Sequence, residues 1–73
     1  METLDMKFVG DKVKVKSLTK ESSLRKRLLD MGITPKIELQ ITGKAPMGDP
    51  IEIQIRGYKL ILRKSEAKAI IVE

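Results

Sequence analysis

The sequence predicts a mostly β fold: a small five-stranded barrel, with one α-helix in the first connection and a short helical turn before the last strand. Three observations carry this reading. Apolar and polar residues alternate in successive short runs, as they do in strands with one wet face. One stretch between the first two runs switches to helical spacing. Five short strands in a chain of 73 residues cannot bury their inner faces as a flat sheet, so they should curl.

The first strand is KVKVKSL at 12–18, where Val13 and Val15 alternate with Lys12, Lys14 and Lys16. In KESSLRKRLLDMG at 20–32, Leu24, Leu28 and Met31 fall at helical spacing on one face, with Leu29 beside them. Ser22 or Ser23 is the expected cap, Gly32 the expected left-handed terminator, and Pro35 prevents continuation. So short a helix must draw its stability from docking its apolar stripe. IELQIT at 37–42 and IEIQI at 51–55 are the next two strands, joined by the turn-rich GKAPMGDP at 43–50. Gly57 marks a tight hairpin into YKLILR at 58–63, Ser65 is the expected cap of a helical turn through SEAK, and AIIV at 69–72 closes the chain. A helical turn just before the final strand is typical of SH3-like barrels. Leu4, Met6 and Phe8 are expected to form an edge piece or a turn over one barrel end.

Residues 1–73 make one domain with a modest core. Cys and His are both absent, which excludes disulfides, thiolate metal sites and the usual general base. No apolar run is long enough to span a bilayer, and METLDMKFVGDK lacks the apolar region of a secretory signal. A soluble protein of the reducing cytosol is the simplest inference. The net charge of +5 is consistent with an anionic partner or with solubility alone.

Enzymatic catalysis has little basis, because the acids are scattered and no nucleophile, zinc or phosphate-loop motif occurs. The expectation is no catalytic residue, no cofactor and no metal ligand; Asp30 reads as a helix-end residue. A nucleic-acid-binding barrel is the alternative, with Lys12, Lys14, Lys16, Arg25 and Arg27 meeting phosphates. Phe8 and Tyr58 are too few aromatics for a base-stacking platform, so no nucleic acid is expected. A protein-binding module is favoured, since Met is flexible and suits adaptable contacts. Met31 and Met47 could line one cleft or fill gaps in a tiny core. Helical phase favours the core for Met31, while Pro46 and Gly48 give Met47 a surface setting.

LRKRLLDMGITP at 24–35, followed by KAPMGDPIEIQIRGYKLILRKSEAKAIIV at 44–72, resembles the FeoA family of ferrous iron transport A proteins. RLLDMG at 27–32, the APMGDP loop at 45–50, Gly57 and the Arg63–Ile70 ending are its marks. The resemblance implies an SH3-like domain that acts in iron uptake as a cytoplasmic accessory of FeoB, the membrane ferrous-iron transporter, recruited to the inner face of the membrane by that partner. It attaches transition metal ion binding to the chain as a family term, although carboxylates are the only strong ligands present. It also implies kinship with the C-terminal domain of iron-dependent repressors. The candidate partner-binding residues are Leu28, Leu29, Met31, Pro46, Met47 and Tyr58, in an apolar groove between the helix and the 43–50 loop. One position departs from the family pattern: Lys36 stands where a Gly usually follows the Pro, at a cost of roughly 1 kcal/mol if that turn needs a positive φ.

Overall fold

Alternation decides which side chains point inward, and the inward set decides how the strands wrap. The structure, a computed structural model, describes residues 2–73. Its strands are β1 (Glu2–Thr3), β2 (Lys12–Leu18), β3 (Glu38–Lys44), β4 (Ile51–Ile55), β5 (Tyr58–Leu62) and β6 (Ile70–Val72). They form one antiparallel sheet in the order β1-β6-β2-β3-β4-β5. Two irregularities bend it. β2 pairs with β3 through Lys12–Lys14 and with β6 through Val15–Leu18, and the second pairing shifts register between Val15 and Ser17. β3 shifts register against β4 between Ile41 and Gly43. Such bulges sharpen the local twist and curl a sheet on itself.

The barrel interior holds Val13, Val15, Leu39, Ile41, Ile51, Ile53, Ile55, Leu62, Ile70 and Val72, all buried. Side chains from outside the barrel strands complete the core. Leu4 comes from a 3-10 helix (Leu4–Met6), Leu28 from helix α1 (Ser22–Asp30) and Ile33 from the loop after it, and all three are fully buried. Helix α2 (Lys64–Ala67) precedes β6 and buries Ala67.

The five expected strands and both helices are present, and a sixth short strand adds to them at the sheet's end. The N-terminal segment is both edge piece and turn: β1 lies along β6, and Leu4 enters the core while Met6 and Phe8 stay exposed. The cap assignments need correction. The α1 cap is Glu21, whose carboxylate accepts from Ser23 N at 3.3 Å and from Leu24 N at 2.7 Å, so neither Ser22 nor Ser23 serves. At α2 the cap position is Arg63, whose N–H donates to Glu66 Oε1 at 2.8 Å, and Ser65 lies inside the helix. At α1 a glutamate standing one residue earlier satisfies the first-turn amides that a serine cap would, and at α2 the Glu66 carboxylate reaches back to the cap residue's own N–H.

Lys36 adopts φ 74°, the left-handed region that its turn demands. Its N–H donates to Val15 O at 2.7 Å, and Val15 N donates to Ile37 O at 2.9 Å, so two bonds to β2 hold the strained residue in place.

Candidate functional site

The 45–50 loop carries the most exposed apolar side chain. Gly48 N donates to Ala45 O at 2.7 Å, closing a turn with Pro46 and Met47 at its apex. Ala45 N donates to Pro50 O at 3.1 Å, and Asp49 Oδ1 accepts from Lys64 N at 3.0 Å. The loop is thereby pinned both to itself and to the N-terminus of α2. Met47 is 85% exposed at that apex. At the end of β3 that leads into the loop, Lys44 Nζ donates to Asp5 O at 3.0 Å and Lys7 O at 2.7 Å, with the Phe8 ring centroid 5.9 Å away. Phe8 is itself 73% exposed. Sequence reasoning did not link Phe8 to this loop, because the link is made by one lysine reaching across 37 residues of chain to a carbonyl.

The other candidates gather at the far end of β4. Tyr58 Oη donates to Met31 O at 3.0 Å, tying β5 to the C-terminus of α1. Gly32 must be glycine there: its φ is 93°, and a Cβ would stand 2.6 Å from the Tyr58 hydroxyl. Met31 is partly buried against the core, Leu29 lies at the surface, and Tyr58 is 42% exposed. Leu28 is fully buried, so it serves the core and offers nothing to a partner.

These two groups do not share a groove. Met47 follows the strand end where Lys44 pairs with Ile51, whereas Tyr58 pairs with Ile55 at the other end of β4. Along the strand those ends stand roughly 14 Å apart. The structure brings Tyr58 against the Met31 carbonyl, leaves Leu29 at the surface of α1, and separately holds Pro46 and Met47 on one turn. A concavity of about 320 Å³ is lined by Lys12, Glu38, Leu39, Gln40 and Gln54, and includes none of the six candidates.

Charge is arranged with little pairing. Lys12, Lys14 and Lys16 are all exposed on one face of β2. Arg27 Nη2 stands 3.3 Å from Glu66 Oε2, an ion pair lacking the alignment of a hydrogen bond, and it ties α1 to α2. The Ser23 hydroxyl, then the Leu24 N–H, hold the Glu21 carboxyl below its ordinary range. The Lys7 ammonium does the same for Glu2. Among the described residues no three carboxylates gather as a metal site, and no helix is long and apolar enough to cross a membrane.

The fold and its loops define a class, the small SH3-like barrel domain. Residues 3–73 match the FeoA domain, and the chain belongs to the FeoA family, whose members are linked to ferrous iron transport. It is similar to a FeoA-like protein from Clostridium acetobutylicum, with 52% identity and a TM-score of 0.91 over 97% of this chain and 83% of that one. It is also similar to Stenotrophomonas maltophilia FeoA, a prokaryotic SH3 domain protein complexed with zinc, with 26% identity and a TM-score of 0.87 over 100% of this chain and 91% of that one. A manganese-dependent transcriptional repressor shares the fold alone, at 20% identity and a TM-score of 0.90 over 97% of this chain and 35% of that one.

Proposed function

We propose that this chain is a cytoplasmic accessory of ferrous iron uptake that binds the membrane transporter FeoB on its cytosolic side. It supports the transporter through protein–protein contacts and reaches the inner face of the membrane by way of that partner. The observation that carries the reading is Met47, an apolar side chain 85% exposed on a loop pinned by Asp49 and Pro50. A flexible thioether held in water by a rigid loop has its natural use in an adaptable contact. Support also comes from the role suggested for the S. maltophilia relative, a ferrous iron transport activating factor.

Pro46 and Met47 form the leading contact surface. Leu29, Met31 and Tyr58 form a second one at the opposite barrel end. Met47→Asp replaces a buried methionine in the complex by a charge, and should weaken FeoB capture at least about tenfold. Ferrous iron uptake by cells carrying the variant should fall with it, while the free protein keeps its thermal midpoint. Unchanged capture and uptake would remove the loop from the contact. Leu29→Asp, measured in parallel, reads the second surface on its own.

A further inference from the structure

Strand β5 has a neighbour on one side only, because it ends the sheet next to β4. Which of its backbone groups are spare follows from the hairpin. Arg56 and Gly57 both have positive φ, 50° and 84°, so the two-residue turn is of the mirror-image kind that makes Ile55 and Tyr58 a hydrogen-bonded pair. Bonded pairs then alternate, and Ile53 with Leu60 and Ile51 with Leu62 are the next. Lys59 and Ile61 therefore aim their N–H and C=O groups away from β4. Among the described residues neither makes another backbone or side-chain hydrogen bond through those groups. Both residues are exposed, with Ile61 at 58%.

The edge segment itself carries charge of one sign, with Glu52 of β4, the cross-strand partner of Ile61, as the neighbouring acid. Residues 56–64 read RGYKLILRK, four cations and no acid. Lys59 is partly engaged by Glu52 at 3.8 Å, while its side chain remains 60% exposed. Pairing β5 with a second copy of itself would bring two such stretches together on molecules of charge +5 each, which like-charge repulsion opposes.

We infer that the β5 edge is a strand-addition site for an extended acidic segment of a partner protein. The segment bonds to the N–H and C=O groups of Lys59 and Ile61, sets an acid against Lys59 and an apolar residue against Ile61, and finds Arg56, Arg63 and Lys64 at its flanks. Backbone bonds supply affinity in this mode, and alternate side chains supply selectivity. The inference concerns this edge whichever protein supplies the strand, so its failure leaves the proposed transporter contact at Met47 untouched.

The test is a nuclear magnetic resonance titration of the whole chain with a synthetic peptide of repeating Glu-Thr-Val-Thr, in which glutamate and valine alternate along one face of the strand. A Lys-Thr-Val-Thr peptide serves as the control. In the free protein the Lys59 and Ile61 amides should exchange quickly and those of Leu60 and Leu62 slowly. The acidic peptide should protect the Lys59 and Ile61 amides, and the basic peptide should not. Ile61→Pro removes a donor that the free fold does not use, and should lower the peptide's affinity about tenfold with the spectrum otherwise preserved. Lys59→Glu leaves the backbone intact, so it stands in should the proline variant not fold, and it should narrow the preference for the acidic peptide over the basic one. Both amides remaining unprotected at about millimolar acidic peptide would overturn the inference. So would equal binding of both peptides, or concentration-dependent protection of the same amides with no peptide present.

Discussion

Lys36 sits at φ 74°, where an L side chain costs about 1–2 kcal/mol and glycine adopts the conformation freely. Part of that gain is offset by glycine's greater freedom in the unfolded chain. Lys36→Gly should therefore stabilise the domain by about 1 kcal/mol, raising the melting midpoint by roughly 4–8 °C in a domain of this size. Calorimetry checks it, and an unchanged or lower midpoint would mean that the bonds to Val15 do not hold the residue against strain. This position was legible in the sequence as a family departure, since one missing glycine in a turn is a local fact. Glu21 was not. Helix caps are read from Ser, Thr, Asp and Asn, and here a glutamate one residue earlier takes both amides. Its carboxyl is held below the ordinary value of 4.5, chiefly by the Ser23 hydroxyl and then by the Leu24 N–H. A lowered folded value means the contribution is complete above pH 4.5 and is lost as pH falls through the folded value. Glu21→Gln should narrow its stability gap to the parent protein as the pH is taken below 4.5, which acid titration of both proteins would show.

At the scale of elements, strand positions and the helix phase were legible because periodicity reports burial directly. Val13 and Val15, the Ile51–Ile53–Ile55 set and Leu28 all point inward as their spacing requires. What periodicity cannot report is which elements touch. Ile33 has no periodic partner, yet it is fully buried because Gly32 turns the chain back under α1. Glu66 is a similar case. A carboxylate in a four-residue helix looks solvated, but it is buried, accepting from Arg63 N and facing Arg27 across from α1. Removing it leaves a cap donor without its acceptor and a guanidinium without its carboxylate. Glu66→Ala should destabilise by about 1–3 kcal/mol. Glu66→Gln should cost less, because it keeps the acceptor for Arg63 and because the Arg27 side chain is 64% exposed, where an ion pair contributes at most about 1 kcal/mol. Urea denaturation of both variants separates the two effects, and equal losses would assign the role to charge instead of capping.

For the molecule as a whole, the five principal strands suffice to build the barrel, and the contact surfaces are decided by its ends. Loop composition identified Met47 as a surface residue, but the single groove joining it to the α1 face required knowing which end of β4 each group occupies. Hairpin register supplies that: Ile51 closes toward the 45–50 loop and Ile55 toward Tyr58. A barrel with apolar side chains at both ends and a basic edge strand between them suits a partner that wraps more than one of its faces. The most direct measurement of this account is capture of FeoB by the purified chain, using the transporter's cytosolic GTP-binding domain and, separately, the intact transporter. The account predicts that the wild-type chain retains the transporter and that Met47→Asp retains far less. Failure of the wild-type chain to retain either form, or equal retention by the variant, would contradict it.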